Sequence, residues 1–128
     1  MPNLLIIDND TQASGSGGYD FNNLTPVAWI VNQNNVPLSS GGGYRVNATT
    51  DIDVTGFAAG ADDHRMLLFN SSTVNKNVKL KHNNTNSAVG NRILGTGQSD
   101  LTILPYMSVM IRYDATLAAW HIYGVGQH

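Results

Sequence analysis

From Arg45 to Gly124 the chain repeats one unit, a short apolar stretch ended by Asn, Ser, Thr or Gly. Turn signals spaced roughly eight to twelve residues apart leave no room for long helices and predict an all-β sandwich or barrel. The clearest strand runs from Tyr44 to Val54. There Val46, Ala48, Thr50, Ile52 and Val54 share one parity while Arg45, Asn47, Thr49, Asp51 and Asp53 share the other, so one face packs and the other is wet. Met66-Leu67-Leu68-Phe69 is a continuous apolar run, which reads as a central strand buried on both faces. Shorter strands are predicted at Val78 to Lys81, Arg92 to Leu94, Leu101 to Leu104, Ser108 to Tyr113 and Trp120 to Val125. Every acidic residue is Asp and none is Glu, a bias toward turns and away from helices. The expected fold is an all-β, jelly-roll-like β-sandwich with an extended N-terminal arm.

Upstream of Tyr44 the pattern loosens. Leu4-Leu5-Ile6-Ile7 is a compact apolar tetrad, and Asp8 to Gly18 is polar, Gly/Ser-rich and aperiodic, a tether between the tetrad and the body. The tetrad reads either as a first strand on the edge of the domain's own sheet or as an arm that pairs with another subunit. Val27 to Val31 is compatible with a strand or one helical turn, and Gly41-Gly42-Gly43 reads as a flexible break. A chain of 128 residues supports one core. The division expected is an arm over residues 1–21 and a sandwich over 22–128.

Several function classes have little to stand on. The formal net charge is −2, and the local basicity of Lys76, Lys79, Lys81 and Arg92 falls short of the positive face a nucleic-acid binder carries. Without cysteine there is neither a disulfide framework nor a thiolate site. The tetrad is too short to span a bilayer, and Met1-Pro2-Asn3 lacks the positive start of a signal peptide, so synthesis in a cytoplasm is expected.

Asp62-Asp63-His64-Arg65 is the densest cluster of potentially reactive side chains, but no zinc-type histidine spacing accompanies it, and it reads as a solvated turn. Asp8-Asn9-Asp10 and Asp51-Ile52-Asp53 begin like calcium loops without the glycine and terminal glutamate that complete one. No Gly-X-Ser-X-Gly elbow or phosphate-cradling glycine motif occurs. The chain therefore reads as a non-enzyme without cofactor or metal. Arg65 and Arg92 are expected to hold loops by pairing with carboxylates such as Asp100 or Asp114. Trp120 and Tyr113 are expected in the core, and Tyr19, Phe21 and Tyr106, in predicted loops, are the candidates for partner contacts.

An ordered set of residues carries a resemblance. Thr55-Gly56 precedes Arg65 and the strand Leu67-Leu68-Phe69-Asn70; Val78-Lys79-Leu80-Lys81-His82 leads to Ser87-Ala88 and Asn91-Arg92; Asp100 to Leu104 is followed by Tyr113-Asp114 and Trp120. Over this half of the chain the sequence resembles a small β-sandwich module of bacteriophage virion proteins, found in tail fibres, receptor-binding proteins and capsid decoration proteins. It departs from that pattern at His64, where a glycine is usual, and at His121, where a basic residue is usual. The resemblance implies a homotrimeric virion protein in which Arg65, Asn70, Arg92, Asp114 and Trp120 are structural.

A short module with a short arm fits a capsid decoration, or cement, protein on the capsid exterior. It would bind across major capsid protein subunits, with Leu4, Leu5, Ile6 and Ile7 as part of its anchor. The alternative is a tail module that recognises a bacterial surface glycan. Either would be made in the host bacterial cytoplasm.

Overall fold

A computed structural model describes residues 23–127. Nine strands form two sheets: β1 (Thr25–Trp29), β2 (Gly43–Ala48), β3 (Ile52–Val54), β4 (Arg65–Asn70), β5 (Val78–Leu80), β6 (Ile93–Leu94), β7 (Leu101–Ile103), β8 (Met107–Asp114) and β9 (Ala119–Gln127). The larger sheet has the order β1-β2-β4-β8-β9-β6 and the smaller the order β3-β5-β7. The chain is all-β, as its turn rhythm predicts.

Within that class the strand pairing departs from the expected jelly roll, which is built from antiparallel Greek keys. The pairs β1/β2, β2/β4, β3/β5 and β6/β9 are parallel; only β4/β8, β5/β7 and β8/β9 are antiparallel. The cause lies in the connections. Each of the first three strands of the large sheet turns at its end and crosses to the other layer instead of folding back beside itself. Trp29 leads to a segment around Gln33–Val36 that bridges to Val54 and Phe57, Ala48 leads to β3, and Asn70 leads to β5. Three such arches stack in parallel.

The predicted Tyr44-to-Val54 strand is the second arch. It breaks at Thr49–Asp51, yet its parity survives the corner: Val46, Ala48, Ile52 and Val54 are all buried, and only Thr50, at the turn, is exposed. Both arms of an arch face the same core, so alternation continues through the bend and conceals it. Asp51 accepts a hydrogen bond from the Asn77 backbone at 3.0 Å, and Asn32 accepts one from the Asp53 backbone at 2.9 Å, so short polar side chains tie successive corners together.

β4 is central, between β2 and β8, but it buries one face: Met66 and Leu68 point into the core, while Leu67 and Phe69 are half-buried on the other side. The glycine break is also corrected. Gly42 and Gly43 are buried, Gly42 donates to the Asn23 carbonyl at 3.0 Å and accepts from Leu67 N–H at 2.8 Å, and Gly43 sits at φ +140. A Cβ on Gly43 would lie 1.9 Å from the Leu67 carbonyl oxygen, so close backbone approach is the reason for glycine there.

The outer edge of β1 carries its own protection. Trp29 accepts from Thr49 N–H and Asn23 from Gly42 N–H, which aims the backbone groups of alternate residues 23 to 29 toward β2. Pro26 and Ala28 therefore face the edge, and Pro26 has no N–H to offer a passing strand.

Candidate functional site: a hydrogen-bonded end and an apolar end

Thr55, Ser87, Arg92, Tyr113 and Trp120 come together at one end of the sandwich, around the loop from Asn83 to Arg92, whereas Asn70 and Leu104 lie at the other. The Trp120 indole is fully buried, with Tyr113, His64 and Phe57 edge-on around it at ring separations of 5.2, 5.9 and 6.0 Å. The indole N–H donates to the carbonyls of Phe57 and Ala58, at 3.2 and 3.3 Å. Tyr113 reaches through its hydroxyl to the Gly90 carbonyl at 2.9 Å, fastening the loop to β8.

Beside this aromatic cluster lies a polar clamp. The Thr55 hydroxyl donates to Asn34 Oδ1 at 2.6 Å, so at its 2.6 Å contact with Ser87 it must accept. Ser87 Oγ in turn accepts from Asn35 N–H at 2.9 Å. Asn35, held at φ 48 where an asparagine is tolerated, accepts from Ala88 N–H at 2.8 Å and from the Asn91 side chain at 2.9 Å. Three chain segments far apart in sequence are joined by these bonds. Gly56 is required beneath them: a Cβ there would meet the Asn91 carbonyl oxygen at 2.2 Å.

Of the two arginines, Arg65 pairs with a carboxylate, though with Asp63 and neither Asp100 nor Asp114, and Arg92 does not. Arg92 Nε donates to the Ser87 carbonyl at 3.0 Å, inside the clamp, and not to a carboxylate. Arg65 pairs with Asp63 at 3.0 Å, and Arg112 shares that carboxylate at 2.7 Å. Asp100 belongs to Lys81 instead, at 3.0 Å. The His82 backbone N–H, followed by Lys81, holds the Asp100 carboxyl below the usual carboxylate range, and the same bond raises Lys81. Asp114 is likewise lowered, first by the Leu117 N–H and then by that of Thr116, as it caps the β8–β9 turn. Asn70 is buried. Its amide donates to the carbonyls of Lys76 and Ile103, both at 2.9 Å, while its oxygen accepts from Ser72 N–H at 3.0 Å, pinning the third arch corner to β7.

The opposite end collects the arch corners, the β7–β8 turn and the end of β9, because β8 runs antiparallel to β4 and pairs Met107 with Gln127. Here Ile30, Val31, Val74, Leu104, Tyr106 and Val125 are exposed, six of the ten large hydrophobic side chains exposed among the described residues. Ile30 is 66% and Val31 62% exposed, directly after β1. Tyr106 is 52% exposed at φ 66, its backbone N–H held by the Asn70 carbonyl at 2.6 Å. Sequence reasoning placed Tyr106 in a loop but passed over Ile30 and Val31, which belong to an apolar run compatible with a strand or one helical turn; nothing in that run marks the end of β1 at Trp29.

No three His, Cys, Asp or Glu side chains among the described residues are grouped to hold a metal ion. A hydrogen-bonded scaffold presents an apolar rim at one end, a surface suited to adhesion. The tetrad Leu4–Ile7 and the aromatics Tyr19 and Phe21 lie outside the described residues. Comparison with family models, with curated proteins and with solved structures found no match.

Proposed function

We propose that this chain is a structural virion protein, a homotrimeric capsid decoration protein that binds across major capsid protein subunits and stabilises the head. The observation that carries the reading is the concentration of exposed apolar side chains at the arch-corner end. Surfaces of this kind mark association sites. From the sequence side the reading is supported by the resemblance to the phage module, of which Thr55, Ser87, Arg92, Tyr113 and Trp120 fall in one hydrogen-bonded cluster.

The mechanism is cohesive. A head filled with DNA is strained where capsomers meet, and a trimer that contacts several subunits at once adds their binding energies through high effective concentration. The tetrad Leu4–Ile7 extends that contact as an anchor. Removal of residues 1–18 is expected to weaken capsid binding while the trimer stays folded.

Antibody labelling of intact virions, read by electron microscopy, tests the proposal. Label distributed over the head supports it. Label confined to the tail tip overturns it in favour of a glycan-recognition module, for which the exposed Tyr106 would be the first side chain to replace.

A further inference from the structure

The sixth lane of the large sheet is only partly filled. β6 supplies Ile93 and Leu94, which pair with Trp120 and His121 near the start of β9. The chain then turns off through Gly95 into a 3-10 turn at Thr96–Gln98, while β9 runs on to Gln127. Among the described residues nothing pairs with the outer side of β9 from Gly124 to Gln127. At about 3.4 Å per residue, this vacant stretch is about 14 Å long.

The register shows which backbone groups point into it. Tyr113 donates its N–H to the His64 carbonyl and accepts from Asp63 N–H, both at 2.8 Å, so it and every second residue of β8 turn toward β4. Ser108 and Met110 turn the other way, toward Gly126 and Gly124 of β9. Tyr123, the extra residue between the pairs Ile111/Ile122 and Met110/Gly124, shifts the alternation of β9 just upstream of these glycines. Val125 and Gln127 therefore aim their N–H and C=O groups into the vacant lane.

The side chains suit an incoming strand. Val125 shares a face with its register partner Val109, which is fully buried, yet is itself 53% exposed. An apolar wall is missing beside it. On the other face Gly124 and Gly126 raise no side chain against an approaching backbone. Nor is the edge guarded: Ile122 to Gln127 contains no charge and no proline, and the bulge at Tyr123 lies upstream of the vacancy. At the far side of the same sheet, β1 turns Pro26 outward.

The vacancy is too small to hold two copies of the chain together. A strip about 14 Å by 10 Å, one strand edge with its side chains, covers about 140 Å², against the roughly 800 Å² per partner of a standard interface. Its occupant must be held elsewhere as well, and the lane opens onto the apolar rim. Gln127 pairs with Met107, next to Tyr106, and Val125 belongs to the rim itself. We infer that the lane takes a short extended segment of the protein that covers this rim, added to β9 in line with β6. The segment is about four residues long, uncharged, and apolar where it faces Val125. On the function proposed above, on which this identity rests, that protein is the major capsid protein.

Co-sedimentation with capsids purified without this protein tests the added strand. Val125→Pro deletes one outward N–H and spares the bonds of Gly124 and Gly126 to β8; affinity should fall about tenfold, the worth of one backbone hydrogen bond. Val125→Lys keeps the backbone intact and puts a charge in the lane, and a loss of at least that size is expected. The unmodified chain gives a second readout. On capsid binding, hydrogen exchange over Ile122 to Gln127, followed by mass spectrometry, should slow by about tenfold or more. Full binding by both folded variants, or unslowed exchange in the bound state, overturns the inference and leaves the capsid reading in place. Failure of the unmodified chain to bind overturns the capsid reading and the inference with it. Loss of self-association in the variants makes a second copy the occupant and likewise overturns it.

Discussion

At the loop end of the sandwich, Asn34, Asn35 and Asn91 turn inward and bond to neighbouring segments, whereas at the arch-corner end Ile30, Val31 and Val74 turn outward into solvent. Both ends are made of turns, and both rest on the same two sheets. They differ in what the turns do with their side chains. The loop end spends its polar groups on joining three distant segments, so its contribution is to the fold. The arch-corner end is already pinned from within by Asn70 and Ser72, the latter donating to the Ala48 carbonyl at 2.7 Å, which leaves its outer side chains unconstrained by folding. Residues exposed without a folding role are those available for a partner.

The comparison can be broken most forcefully at Trp120. Trp120→Ala empties the centre of the aromatic cluster and strands two carbonyls, and denaturant titration should show a loss of about 3–5 kcal/mol. Gly56→Ala drives a methyl into the Asn91 carbonyl and Ser87, and a loss of about 2 kcal/mol is expected by the same titration. At the other end, Val31→Ser and Tyr106→Ser should change stability by less than about 0.5 kcal/mol while weakening self-association measured by light scattering. Equal destabilisation at the two ends would erase the distinction.

The smallest effect is in acid. Asp100 and Asp114 are both held below their ordinary range in the folded chain, and both sit at the loop end. A lowered folded pKa means the contribution is fully present above the unfolded value, about 3.9, and disappears as pH falls through the lower folded value. A melting temperature followed downward from pH 5 should fall modestly, and Asp114→Asn should flatten that fall. Asp100 is 39% and Asp114 23% exposed, so solvent reaches both and screening keeps the effect small.

The sequence made the strand class, most strand positions and the central place of β4 legible, because turn residues and parity are local signals. Parallel pairing was not legible. An arch and a long strand have the same alternation, and Thr49 to Asp51 carries no proline or glycine to mark the corner. The clamp was only half visible: Thr55-Gly56, Ser87-Ala88 and Asn91-Arg92 stood out as a set, but Asn34 and Asn35 looked like any other turn. The arginine partners were missed because Asp63, only two residues from Arg65, was read as part of a solvated turn, and because Arg112 comes to it across the sheet. Glycines 41 to 43 looked loose for want of a partner in sequence, and the partner is the backbone of β4.

Sedimentation velocity on paired variants tests the division of labour most directly. The unmodified protein should sediment as a trimer, Val31→Asp with Tyr106→Asp as a folded monomer, and Val89→Asp with Leu117→Asp, exposed at the loop end, as a trimer still. A trimer that survives the first pair and dissociates with the second would contradict the account, since association would then run through the end assigned to the fold.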